Sequence, residues 1–219
     1  MTNSARPAGA APPPAGASRP PGPLVVLIGA MGAGKSAVGK ALAHGCGVGF
    51  HDTDDAVAKA EGTAIAELFR RRGEDYFRAR EHEAVIAALR EQTGVVALGG
   101  GAPMRADTRE ALAAYSAGGG KVVLLEVSLD RVAERVALDD SRPLLSGDAL
   151  ARWAALLAQR RPVYEQVSDL RVGTDAITPT EAAAEVARRL GLEPGPGPGP
   201  GPGPEPESGP GPARVGLDG

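Results

Sequence analysis

A three-layer α/β/α domain built on a five-stranded parallel sheet is predicted for this chain of 219 residues. Two observations predict it. Five short apolar runs alternate with stretches of helical periodicity, the pattern of strand–helix units whose strands lie parallel and are covered on both faces. Three of those runs stop abruptly at chemically unusual segments, residues 29–36, 52–54 and 99–101. Residues just past the carboxyl ends of parallel strands share one rim, where ligands bind. The three segments are therefore expected to converge on one site.

The first run, Leu24–Ile28, has the length and β-branched content of a buried parallel strand. It leads into Gly29, which with Gly34, Lys35 and Ser36 completes G-x-x-x-x-G-K-[ST]. Glycines let backbone N–H groups wrap a phosphate where a Cβ would block the approach. At this spacing Lys35 can reach the β- and γ-phosphates, and the Ser36 hydroxyl can hold Mg²⁺. A helix over Ala33–Ala43 points its positive end at the same anion. Gly32, Ala33, Gly34, Lys35, Ser36 and Ala37 are thus the expected nucleotide-binding residues. The chain is expected to bind a nucleoside triphosphate.

Val48–His51 reads as a second strand, entering Asp52-Thr53-Asp54-Asp55. Helices are predicted over about 55–60 and 64–72, with Thr63 capping the latter. A longer one runs from Gly73 through Gln92, with Phe77, His82, Val85, Ile86 and Leu89 near helical spacing. Val95–Leu98 is the third strand and ends in Gly99-Gly100-Gly101. A helix at 106–115 leads to a fourth strand, Val122–Val127, and a helix at 130–138 follows. The polar segment 139–148, containing Ser141-Arg142-Pro143-Leu144-Leu145, suits a mobile lid. A helix from Leu150 to Arg161 is expected to stop near Pro162. Leu170–Val172 is the fifth strand, and Pro179–Leu190, capped by Thr178 or Thr180, closes the domain.

Residues 1–23 and 193–219 are rich in Pro, Gly and Ala and have too few apolar side chains to pack, so both are predicted to be disordered tails around one domain, 24–192. No secretory segment is expected, nor a membrane span, because no run of about 18 apolar residues exists. The single cysteine, Cys46, fits a reducing cytoplasm and reads as a buried structural thiol. A formal net charge of −3 gives no reason to expect nucleic acid as a partner. A monomer is expected.

Among residues that could do chemistry, Asp52 and Asp54 could divide two tasks, one as a metal ligand and one as acceptor for a substrate hydroxyl. Capping of the following helix by Asp54 or Asp55 is the competing reading. The three glycines could let backbone N–H groups approach a ligand, or form a plain loop. Arg142 could stabilise charge on a transferring phosphoryl group, or sit on a solvated loop. Twenty of the 24 basic residues are arginine, so Arg78 and Arg160 would not stand out alone. His44, His51 and His82 lack metal-ligand spacing. Trp153 reads as packing.

The set GAMGAGKS, DTD, YFR, LGGG, SRPLL and QRRPVY, in this order and at these separations, resembles the shikimate kinases over Leu24–Leu192. That resemblance implies a nucleoside-monophosphate-kinase-like fold with strand order 2-3-1-4-5. It also implies transfer of the γ-phosphate of ATP, with Mg²⁺, to the 3-hydroxyl of shikimate, on the route to chorismate and aromatic amino acids. Carried over residue by residue, Lys35 and Ser36 serve phosphates and Mg²⁺, and Asp52 helps hold the hydrated metal. Asp54 accepts hydrogen bonds from shikimate hydroxyls. Arg78 and Arg160 grip its carboxylate, and Gly99, Gly100 and Gly101 contribute backbone contacts. Arg142 descends with the lid onto the phosphates, and Arg135 falls near the adenine.

Two positions depart from that family pattern. Ala97 stands two before the first glycine, where relatives often carry a hydroxyl. The loop 174–179 has Ala176 and Ile177 where relatives often place an arginine against adenine. A gluconate-kinase-like enzyme is the alternative, since gluconate is also a hydroxylated carboxylic acid; the DTD and GGG pair favours shikimate. A nucleoside-monophosphate kinase would need the D-G-x-P-R lid string, and a GTP switch N-K-x-D. Neither string occurs.

Overall fold

In the computed structural model, residues 22–137 and 147–195 are described. The five strands are β1 (Val25–Ile28), β2 (Phe50–Asp52), β3 (Val95–Ala97), β4 (Val122–Glu126) and β5 (Leu170–Gly173). All neighbouring pairs are parallel and the order is β2-β3-β1-β4-β5, as expected. Alternation along the strands assigns the two faces. Val25, Leu27, Val123 and Leu125 pack beneath α1 (Lys35–Cys46) and α7 (Pro179–Leu190), through Val38, Leu42, Ala182 and Val186. Val26, Ile28, Val96 and Leu124 face the opposite layer, with Val85, Leu112 and Tyr164. That second layer is made by α3 (Ile65–Glu91), α4 (Ala106–Ala117) and α6 (Gly147–Val167). Both faces of β1 are therefore sealed, which explains its unbroken apolar run.

Most boundaries agree with the sequence reading, and the exceptions have physical causes. β2 begins two residues later than predicted and includes Asp52. α2 (Thr53–Glu61) is capped by neither Asp54 nor Asp55. The carboxylate of Asp52 accepts the Asp54 N–H at 3.0 Å instead. Thr63 does not cap α3, whose first turn follows Ala64 without a side-chain cap. The break in α3 stands at Gly73, whose φ of +81° is closed to most residues. The buried stripe past this break is Phe77, Glu81, Val85 and Ala88, so an acid holds the place expected of His82.

The largest departure is α6, which passes through Pro162 and continues to Val167. An internal proline costs about 3 kcal/mol. Beyond it, Tyr164 is 1% exposed, and burying an aromatic of that size returns about the same amount. α5 (Leu129–Ala137) follows β4 as predicted. Most of the expected lid, including Arg142, lies outside the described residues, as do the two tails apart from Gly22–Pro23 and Glu193–Gly195. Among the described residues no helix is long and apolar enough to cross a membrane.

Candidate active site

The carboxyl ends of β1, β2 and β3 open into one cavity of about 1150 Å³, whose walls include Lys35, Asp54, Arg78 and Arg160. The three unusual segments do share a rim. At its centre the loop after β1 carries Gly32 and Gly34 at φ +85° and +88°. Gly34 is the residue immediately before α1, so the helix begins at Lys35 rather than at Ala33 and its first N–H groups face the cavity mouth. The Lys35 ammonium donates to the carbonyls of Gly29 at 2.9 Å and Ala30 at 3.0 Å. Burial lowers its pKa, and Asp54 and Asp52 oppose that effect. A cation folded over a glycine-shaped cradle at a helix N-terminus is built to receive polyphosphate.

Beside it, the Ser36 hydroxyl donates to Asp52 Oδ2 at 2.7 Å, while Asp52 Oδ1 caps α2. Asp52, rather than Asp54 or Asp55, is thus the cap, and its second oxygen stays at the cavity beside Ser36. A hydroxyl and a carboxylate side by side, both hard oxygens, fit a magnesium ion that keeps several waters and shares a phosphate.

Asp54 points the other way, into the half of the cavity lined by Arg78 and Arg160. Its Oδ1 is buried and meets no hydrogen-bond partner among the described residues. Burial pushes its carboxyl pKa up, with the nearby Asp52 adding to the effect. A buried acceptor atom without a protein partner, at the wall of a cleft, is a place where a ligand's donor can bind.

The opposite wall is a set of prearranged pairs. Arg78 Nη1 donates to Glu81 Oε2 at 2.6 Å, and Nη2 to Glu74 Oε1 at 3.2 Å. Its guanidinium lies 5.1 Å from the ring centre of Phe77 and 5.9 Å from that of Phe69. Burial pushes the Glu81 carboxyl up, and Arg78 pulls it back. The glycines after β3 leave room for this. A Cβ on Gly99 would collide with the carboxylates of Glu81 and Asp54, and one on Gly101 with the Arg78 guanidinium. The Gly99 N–H donates to Thr53 Oγ1 at 3.1 Å, which ties the β2 and β3 ends together.

From α6, Arg160 Nη1 donates to Gly100 O at 3.4 Å and the Tyr164 hydroxyl donates to the same oxygen at 2.5 Å. Trp153 Nε1 donates to Met31 O at 3.1 Å, so the tryptophan packs and also steadies the phosphate loop.

Every predicted site residue whose side chain is described therefore reaches the cavity or its rim; the side chain of Arg135, in α5, lies outside the described residues. Glu81, Thr53 and Tyr164 escaped the sequence reading. Two carried a signal. Glu81 is an acid on the apolar stripe of α3, three residues after Arg78, and Tyr164 continues the stripe Trp153, Leu157, Arg160 at helical spacing. Cys46 is partly exposed rather than buried, at the far end of α1. The near side of the cavity holds Thr174, whose hydroxyl meets Ala33 O at 3.2 Å, and the Thr178–Glu181 capping box of α7. Ala176 and Ile177 line it as well.

The family model described as shikimate kinase matches residues 31–191. A shikimate kinase of Thermobifida fusca is 47% identical over 168 residues, spanning 77% of this chain and 95% of the relative. One of Streptomyces coelicolor is 46% identical over 159 residues, 73% and 90% of the two chains. The solved shikimate kinase of Acinetobacter baumannii, in complex with shikimate, superposes with a TM-score of 0.70 at 29% identity, covering 78% of this chain and 94% of that one. A gluconokinase of Sinorhizobium meliloti, at 23% identity and a TM-score of 0.50, shares the fold alone. With the glycine-rich loop, Arg78, Arg160 and the triglycine turn around one cavity on that fold, the chain belongs to the shikimate kinase family.

Proposed function

We propose that this chain transfers the γ-phosphoryl group of ATP to the 3-hydroxyl of shikimate, giving shikimate 3-phosphate and ADP on the route to chorismate. The observation that carries this reading is one cavity with a phosphate cradle at one end and two arginines at the other, with a buried, unpartnered carboxylate oxygen of Asp54 between them.

Each residue's task follows from its surroundings. Lys35 already spans the loop and exchanges carbonyl partners for phosphate oxygens at little cost in reach. Ser36 and Asp52 would hold Mg²⁺. When bound, Mg·ATP supplies the phosphoryl group and the metal charge that draws electrons toward the leaving side. Arg78 and Arg160 fork around the acceptor's carboxylate, which fixes the ring, and Asp54 accepts the hydrogen bond of its hydroxyl. Phosphoryl transfer depends mainly on such alignment and on neutralising charge. Arg142, from the lid, and Arg135 complete the nucleotide side.

The enzyme acts as a cytoplasmic monomer, without nucleic-acid or membrane partners. Its working unit is residues 24–192. Gly195 N–H still reaches Gly45 O at 3.0 Å, so a cut after it spares that contact. Removal of 196–219 should leave turnover intact, and a large loss would refute this boundary. The activity itself is tested by ADP release with ATP and Mg²⁺ in the presence of shikimate, of gluconate, or of no acceptor. Shikimate-dependent release is expected. Release with gluconate instead would discard the substrate, and equal release without acceptor would discard the kinase.

A further inference from the structure

We propose that Tyr164 is a positioning residue for the acceptor, acting through the carbonyl of Gly100. This rests on the functional reading above. Tyr164 is sealed in the core between α6 and the sheet, yet its hydroxyl emerges against the triglycine turn and donates to Gly100 O at 2.5 Å. Arg160, one helical turn earlier, reaches the same oxygen more weakly at 3.4 Å. Burial raises the pKa of Tyr164, so the hydroxyl stays a donor throughout the working pH range.

The consequence lies in the peptide unit. In a trans peptide the C=O of Gly100 and the N–H of Gly101 point in opposite directions within one plane. Drawing the carbonyl onto α6 therefore turns the Gly101 N–H away from α6. Glycine has no side chain to hold that plane, and a run of three glycines could rotate through many orientations. Among the described residues the amides of Gly100 and Gly101 donate to no protein acceptor. Gly101 also packs against the Arg78 guanidinium, so a rotated peptide would disturb the carboxylate fork too. A single hydroxyl from a rigid helix thus presets both the free amide and the arginine beside it. Preorganisation of this kind favours binding because the ordering cost is met before the ligand arrives.

The test uses the full-length chain with Tyr164→Phe, which keeps the ring in the core and removes only the donor. The KM for shikimate should rise about three- to tenfold, the scale of one net hydrogen bond, with the KM for ATP unchanged and Tm within about 2 °C. Incorporating 4-aminophenylalanine at 164, which restores a donor, should return the KM toward the original value. Tyr115→Phe serves as the control, since it removes a similar tyrosine–carbonyl bond, to Pro23 O at 3.0 Å, at the opposite end of β1. It should leave both KM values alone. An unchanged shikimate KM in Tyr164→Phe would overturn the proposal. So would a rise in both KM values that follows a fall in Tm. A wild-type protein with no shikimate-dependent turnover would instead overturn the functional reading.

Discussion

The two ends of the cavity are built on different principles. The nucleotide end is local. Eight consecutive residues, Gly29–Ser36, supply the loop, its positive-φ glycines, the cation and the metal-side hydroxyl. Most of its binding groups are backbone amides held by the start of α1. The acceptor end is assembled from α2, α3, the β3 turn and α6, and its two arginines are already held by other protein groups. Arg78 leans on Glu81 and Glu74, while Arg160 and Tyr164 share the carbonyl of Gly100. A polyphosphate carries enough charge to be caught by amides and one lysine. A small carboxylic acid does not, so its arginines must be fixed in advance to avoid paying rotamer entropy on binding.

That contrast can be broken by substitution. Removing the cation of the local end should cost most: Lys35→Ala is expected to lower kcat about 10²- to 10³-fold, as for loss of one preorganised charge stabiliser, measured by ADP release at saturating shikimate. At the assembled end, Arg78→Ala should lower kcat/KM for shikimate about 10²-fold, the scale for truncating a close charge pair, with the KM for ATP little changed. Because it strands buried Glu81, it should also cost about 3 kcal/mol of stability in urea denaturation. Adding Glu81→Gln should recover stability but not the KM. If the double variant recovers the KM, Arg78 is structural rather than a substrate residue.

A smaller effect, about tenfold on the shikimate KM, is expected of Gly101→Ala, whose Cβ meets the Arg78 guanidinium and displaces it. Equal effects on both substrates would blur the division between the two ends.

The smallest effect concerns stability and pH. Asp54 has its pKa raised above the ordinary 3.8 by burial. The native state therefore holds a proton that the unfolded chain has already released above about pH 4. Stability from this group is full below that range and is lost as pH rises through the raised value. Asp54→Asn should flatten that decline and make the ligand-free protein more stable at pH 8, even as activity falls. Parallel denaturation curves at pH 5 and pH 8 check it, and an unaltered difference between them would show that Asp54 carries no such strain.

Legibility in the sequence follows the same division. The strand order needed the resemblance, but the five strands, the loop after β1 and the DTD and GGG turns were readable from contiguous residues. The misreadings sit where partners are distant. Pro162 reads as a helix stop, and the reason it is not one, the burial of Tyr164 against the sheet, lies outside that segment. Asp54 or Asp55 reads as the cap of α2, although Asp52 caps it with one oxygen while the other accepts from Ser36 across the β1 and β2 ends. Glu81 reads as one more helical acid until Arg78 and the absence of a Cβ at Gly99 bury it.

By itself the sequence determined the elements and the phosphate end, because glycine dihedrals, strand hydrophobicity and a fixed loop spacing are local properties of the chain. Only the tertiary structure decided which groups from different elements meet at the acceptor end. Burial and pairing are set by layers packing together, and no spacing along one segment encodes the distance from Tyr164 to Gly100 or from Gly101 to Arg78.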